Sequence, residues 1–315
     1  MTSKYREEDL SRVESISIEQ RDSKVAVGEF VDPDKVSDQI NGAALVDAFP
    51  AILKGDDLRR VIDSLRRARD AKKQIVWLIG AHVVKCGLSR YLASLMKRGY
   101  ITAISTTGST TVHDLELAFH GATSEDVAVE LPKGRFGMSG ETATHFESAC
   151  KLASESGYGL GEGVGAYITE SDAPNRSVSV YGNAYETSVP ATVHVALGTD
   201  ITHQHASFPG SVVGELSMKD FRILTSSVGE LFDNGVVVVF GAAVVLPEVF
   251  MKAVSVSYAL GRKPENVTAV NFDMLQQYRV HENVLRRPFQ GAGRSYSFSG
   301  HHEIMLPLLY HLLGE

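Results

Sequence analysis

Five short apolar runs, separated by stretches of helical period, set out the plan of this chain. They are Ile75-Val-Trp-Leu-Ile79, Tyr100-Ile-Thr-Ala-Ile104, Val189-Pro-Ala-Thr-Val-His-Val-Ala-Leu197, Val236-Val-Val-Val-Val-Phe240 and Val267-Thr-Ala-Val-Asn-Phe272. Each is largely apolar, and most are rich in β-branched residues, as strands covered on both faces are. Helical spacing fills Leu88 to Arg98, Ser139 to Ser156, Val212 to Phe232 and Pro247 to Leu260, and Glu303 to Leu313 closes the chain. Asp57 to Lys72 reads as a charged amphipathic helix with Asp56 or Asp57 as its cap; Ser139 is the candidate cap of another. Strands alternating with helices predict an α/β fold with a doubly wound, mostly parallel sheet. Residues 1–27 are polar and read as an N-terminal arm, and residues 28–315 as one domain.

In a parallel sheet the carboxyl ends of all strands share one edge, and ligands bind in the crevice outside it. The turns at those ends are Gly80-Ala-His82, Thr106-Thr-Gly108, Gly198-Thr-Asp200, Gly241-Ala-Ala243 and Asn271-Phe-Asp273. Small residues there let a ligand approach backbone amides, and helix N-termini favour phosphate, so a dinucleotide suits this edge. The strict Gly-x-Gly-x-x-Gly fingerprint is absent. Tyr158-Gly-Leu-Gly-Glu-Gly-Val-Gly165 is glycine-rich, but no strand precedes it, and it reads as a turn before another helix.

Histidines gather at the same edge. Thr199-Asp-Ile-Thr-His-Gln-His205 holds Asp200, His203 and His205; Ser299-Gly-His-His-Glu303 holds His301 and His302. They read as acid–base or substrate-binding groups, since imidazole titrates near neutral pH, or as ligands of zinc or iron. His194 alternates within an apolar strand and reads as a core histidine. Lys85 precedes a helix and is a candidate for imine formation; its neighbour Cys86 reads as a packing residue.

Composition narrows the classes. A net charge of -7 argues against a nucleic-acid surface. Two cysteines give no disulfide framework and suggest a reducing, cytoplasmic setting. The longest apolar run, Val236 to Leu246, falls short of the ~20 residues of a membrane helix. The partner expected is therefore a small-molecule substrate.

The order of these motifs resembles deoxyhypusine synthase across roughly residues 74–313. Ile104-Ser-Thr-Thr-Gly-Ser-Thr-Thr-Val-His-Asp-Leu115 resembles the family's cofactor turn. Ser188-Val-Pro-Ala-Thr-Val-His-Val-Ala-Leu-Gly-Thr-Asp200 resembles its Pro-Ala-Leu-Thr-Asp strand and turn. Val238-Val-Phe-Gly-Ala-Ala-Val-Val245 and Leu306-Pro-Leu-Leu309 resemble its glycine turn and closing helix. The run from Val112 to Glu116 is also similar to NAD-dependent ornithine cyclodeaminase domains of related fold.

The resemblance implies a Rossmann-like NAD-binding fold, a homotetramer with sites between subunits, and oxidation of an amine through an imine. It implies NAD contacts from His82, Thr106, Thr107, Gly108, Asp114, Asp200, Gly241, Ala242 and Asp273. Glu215, His302 and Glu303 are then expected to bind substrate, and His203, His205, His301 and Lys85 to serve catalysis. The family's catalytic lysine motif has no counterpart: Asp273-Met-Leu-Gln-Gln-Tyr-Arg-Val-His-Glu-Asn-Val-Leu-Arg-Arg-Pro288 stands in its place. Transfer to a protein lysine is accordingly not expected, and the chemistry implied is hydride removal from an amine-bearing small molecule. The rival readings are a histidine- or metal-dependent hydrolase or lyase, and a non-catalytic ligand-binding protein.

Overall fold

The computed structural model describes residues 45–314 except Asp47. The proposed arm, residues 1–27, lies outside the described residues. In chain order the main elements are α1 (Leu53–Asp70), β1 (Ile75–Ile79), α2 (Ala81–Lys85), α3 (Ser89–Lys97), β2 (Ala103–Thr107) and α4 (Gly108–His120). They continue with α5 (Gly140–Ser156), α6 (Leu160–Glu170), α7 (Val180–Glu186), β3 (Ala191–His194), α8 (Gly210–Leu231) and β4 (Val236–Phe240). The chain closes through α9 (Val245–Ala259), β5 (Val267–Asp273), β6 (Gly293–Ser299) and α10 (His302–Leu312).

The six strands form one sheet in the order β3-β2-β1-β4-β5-β6, and every neighbouring pair is parallel. This is the doubly wound Rossmann order, which reverses direction between β1 and β4. Successive side chains of a strand point to opposite faces. Ile75, Trp77 and Ile79 therefore join one core layer with Ile62, Leu65, Leu92 and Leu306. Val76 and Leu78 join the other, with Leu224, Val228, Phe250 and Val254. Burial on both sides is why these runs are apolar without alternation. Across the first layer, Trp77, Phe240, Phe272 and Phe298 stack in a row, with centroids 5.7, 4.7 and 5.0 Å apart. This row braces β1, β4, β5 and β6 beneath the edge where the turns lie.

Several elements differ from the sequence reading. β2 lies three residues later than expected, because Ser105 and Thr106 are polar yet belong to the strand. Ser105 Oγ pairs with Thr192 Oγ1 at 2.7 Å, and Thr106 Oγ1 donates to the Thr192 carbonyl at 3.0 Å. β6 was not expected at all: it is an edge strand with mostly exposed, polar residues. α1 begins at Leu53, so Asp56 lies inside its first turn, Asp57 just beyond it, and neither caps it. Ser139 does cap α5, its hydroxyl accepting from Thr142 N. The glycines of Tyr158–Gly165 lie mostly within α6, not in a turn before it. A Cβ on Gly161 would stand 2.1 Å from the Ala191 carbonyl, and one on Gly163 2.2 Å from the Ala153 side chain. Close helix packing accounts for that run.

Candidate functional site at the carboxyl edge of the sheet

Two adjoining features occupy the carboxyl edge. The first lies where the sheet reverses. The β1–α2 and β4–α9 turns touch there: Gly80 N donates to the Phe240 carbonyl at 2.9 Å, and a Cβ on Gly80 would sit 2.0 Å from the Gly241 oxygen. Gly241 has φ +61°, and a Cβ on it would meet the His302 ring at 2.7 Å. His302, the first residue of α10, is 1% exposed and packs edge-on to His82 and Phe240. Its Nε2 lies 3.7 Å from Asp273 Oδ1, beyond hydrogen-bond reach. Both ring nitrogens lack a hydrogen-bond partner. A buried imidazole with no partner is costly, so its nitrogens call for a water or a ligand group beside them.

The second feature is a cleft of about 310 Å³ on the β2 side of the reversal. Lys85 from α2, Ser109, Val112, His113 and Glu116 from α4, Glu125 and Phe136 from the following loops, and Asp200 line it. Asp200 reaches the start of α4, where its carboxylate accepts from the Ser109 amide. A Cβ on Gly108 would fall 2.1 Å from Asp200 Oδ2, so glycine is what admits the carboxylate. Burial raises the Asp200 carboxyl to about 6, against the lowering effect of that amide. Glu116 Oε2 accepts from Thr123 Oγ1 at 2.5 Å and its Oε1 from Thr142 Oγ1 at 2.9 Å. Glu125 accepts from Gly137 N at 2.8 Å. Three carboxylates against Lys85 leave the cleft suited to a cation.

His82 and Lys85, three residues apart on α2, lie between the two features. His82 and Asp273 belong to the reversal with Gly241 and buried Ala242. Lys85 and Asp200 belong to the cleft, and Gly108 is buried beneath Asp200. Thr107 closes β2, its hydroxyl paired with Ser109 Oγ at 3.0 Å.

Other residues named from the sequence stand elsewhere. Thr106 is fully buried, its hydroxyl shared with Tyr181 Oη at 2.6 Å, so it faces no ligand. Asp114 is also fully buried and caps α7, accepting from Ser179 Oγ at 2.5 Å and Val180 N at 2.7 Å; its carboxyl rises to about 6 through burial. His203 staples its own loop. Its Nδ1 accepts from Gly198 N at 2.9 Å and Asp200 N at 3.1 Å, which leaves the proton on Nε2, 3.8 Å from Asp200. A ring so placed cannot take a proton from a ligand through Nδ1. His205 Nε2 pairs with the Gly137 carbonyl at 3.0 Å and must donate to it. His301 and Glu303 are exposed, 3.8 Å apart, and Glu215 is exposed on α8 outside the cleft lining. The four histidines therefore do not share one pocket with Asp200. Among the described residues no three His, Cys, Asp or Glu side chains gather as a metal group. Burial raises the Cys86 thiol, which pairs with His82 Nε2 at 3.3 Å. His194 is buried, paired with Thr192 Oγ1 at 3.0 Å, and falls to about 4 through burial.

The sequence assigned no catalytic or binding role to His113, Glu116 or Glu125. His113 and Glu116 are three residues apart on α4, a spacing that puts them on one face, but their meeting with Thr123 depends on the loop beyond the helix.

Residues 59–157 match the family described as "Arginine dihydrolase ArgZ-like, C-terminal, Rossmann fold". A search of curated protein sequences found no match. Among solved structures, the fold is similar to AgrE, crystallised as a ternary complex with ornithine and NAD+. Identity is 15% and TM-score 0.53, over 82% of this chain and 32% of AgrE. The chain thus spans about a third of that relative's length. A conserved putative LOR/SDH protein from Methanococcus maripaludis S2 matches at 14% identity and TM-score 0.52, over 89% of this chain and 71% of that one. A putative deoxyhypusine synthase from Entamoeba histolytica matches at 13% identity and TM-score 0.48, over 89% and 94% of the two chains. At these identities the likeness to AgrE and to the LOR/SDH protein establishes the fold alone, the Rossmann type of the matched family. Among the described residues no helix is long and apolar enough to cross a membrane.

Proposed function

We propose that this chain is an NAD-dependent enzyme, related in chemistry to the deoxyhypusine synthase-like class, that oxidises an amine-bearing small molecule to an imine. The observation that carries the reading is the juxtaposition on one sheet edge of a carboxylate-lined cleft and a buried, unpartnered His302 at the sheet reversal. The cleft favours a cationic amine, and the reversal is where this fold takes dinucleotides. The orphaned nitrogens of His302 fit a group bearing ribose hydroxyls or a carboxamide. His302, Asp273, His82 and the backbone around Gly241 and Ala242 would hold it. When bound, NAD supplies the hydride acceptor. The solved complex of AgrE with ornithine and NAD+ supports the pairing of an amine with this cofactor on such a fold.

The chain's own groups then have separable tasks. Asp200 and Glu125 attract the ammonium group, and Lys85 stands ready for a carboxylate on the same molecule or for imine exchange.

Calorimetric titration with NAD+ tests the reading. Wild type is expected to bind. His302→Leu removes both orphaned nitrogens, so it should weaken NAD+ by roughly tenfold or more while raising the unfolding temperature. Absence of NAD+ and NADH binding by the folded wild-type chain would overturn the proposal.

A further inference from the structure

We infer that His113 is the proton acceptor of the cleft, fixed in its basic tautomer by Thr123 and Glu116. The inference rests on the amine reading above and deepens it by naming the group that deprotonates the substrate.

The argument is a count of protons. Gly121 ends α4 in the left-handed region at φ 71°, and the chain turns back so that Thr123 stands between His113 and Glu116. A carboxylate only accepts hydrogen bonds, and a hydroxyl has a single proton to give. Thr123 Oγ1 gives that proton to Glu116 Oε2 at 2.5 Å. The same oxygen must then accept from His113 Nδ1, 2.7 Å away. A neutral imidazole carries one proton, which places it on Nδ1 and leaves a lone pair on Nε2. Thr142 Oγ1, from α5, donates to the other oxygen of Glu116 at 2.9 Å and keeps the carboxylate from turning away. The tautomer is thus decided by elements on both sides of the ring.

The charge around the ring agrees. Burial lowers the His113 imidazole below its ordinary value, Glu116 opposes this, and Lys85 and His82 add to it. The charged groups that share the cleft are Lys85 from α2, Glu116 on α4 itself, Glu125 from the loop and Asp200 after β3. A ring held neutral beside carboxylates that attract ammonium is placed to receive its proton. In the step, one N–H bond of R–NH3+ breaks and one Nε2–H bond forms, giving R–NH2 and an imidazolium. The positive charge moves from ligand to ring, and the amine lone pair is freed to assist hydride departure. His203, whose Nδ1 lone pair accepts two backbone amides, offers no such lone pair, and His205, its Nε2–H given to the Gly137 carbonyl, lies outside the cleft lining.

Two-bond proton–nitrogen correlation spectra of the full chain labelled with nitrogen-15 histidine test the tautomer without turnover. At neutral pH His113 should be uncharged with Nδ1 protonated. Thr123→Val should release the ring into mixed tautomers, and Thr123→Ser should restore the single form. With NAD+ and ornithine as the probe, His113→Gln should lower the rate of NADH formation by about 10²-fold and remove the acidic limb of its pH profile, with NAD+ affinity unchanged. An Nε2–H tautomer, a ring charged at neutral pH, or an unaltered pH profile in His113→Gln would each overturn the inference. Failure of the wild type to bind NAD+ would instead sink the cofactor reading, and the tautomer spectra would still judge His113 on their own.

Discussion

Asp220, outside the cleft lining, allows the sharpest test of how this fold is held. It is fully buried on α8 and faces the start of α6 and the outer side of β3. β3 is an edge strand, so its outward amides need partners other than a strand. Asp220 Oδ2 accepts from Val193 N at 2.7 Å and from Gly161 N at 2.9 Å. α6 has no side-chain cap of its own, so this carboxylate serves in place of one. Burial nonetheless raises the carboxyl from 3.8 to about 7. The sign follows: the folded state holds the proton more tightly than the unfolded one. The stabilisation is complete below about pH 4 and is lost as pH rises through 7. A shift of about three units sets an upper limit of roughly 4 kcal/mol on that loss.

Asp220→Asn keeps an oxygen for both amides and cannot ionise. Its new NH2 sits in a dry site and costs about 1–3 kcal/mol. The variant should therefore be equal to or less stable than wild type near pH 4 and more stable by about 1–3 kcal/mol above pH 7. Asp220→Ala leaves two buried amides unmet and should lose roughly 2–5 kcal/mol near pH 5. Urea unfolding followed by fluorescence of Trp77, the single tryptophan and fully buried, measures both. Asp114 and Asp200, each raised to about 6, tilt wild type and variants alike, so the difference between chains isolates Asp220. An Asn variant whose stability runs parallel to wild type across pH would refute the reasoning.

Two further outcomes concern glycines at the site. Gly241→Ala forces a side chain into a left-handed backbone and against the His302 ring. It should lose about 1–3 kcal/mol in thermal unfolding together with NAD+ affinity in calorimetry, rather than affinity alone. Gly108→Ala brings a Cβ within 2.1 Å of Asp200 Oδ2 and should drive that carboxylate off the start of α4. An ornithine affinity changed by roughly tenfold, measured by titration of the NAD+-loaded chain, is expected; an unchanged value would remove Asp200 from amine binding.

The sequence by itself determined the layers of this protein. Val236–Phe240 and Ile75–Ile79 are apolar at every position because both faces of a parallel sheet are covered, and their shortness and β-branched residues set them apart from a buried helix. It also determined that the turns after β1 to β5 share one edge, since alternation with helices makes the strands parallel. What the tertiary structure decided was which polar residues of that edge are free to act. Thr106 and Asp114 carry the same chemistry as Thr107 and Asp200, yet one set is sealed against α7 and the other lies at the edge. His203 and His113 are both loop- or helix-borne imidazoles in the sequence. Only the partners of their Nδ1 atoms, two backbone amides in one case and the Thr123 hydroxyl in the other, set which nitrogen keeps a lone pair. A hydrogen-bond donor's identity is written in the chain, but whether it is already spent depends on groups brought beside it by folding.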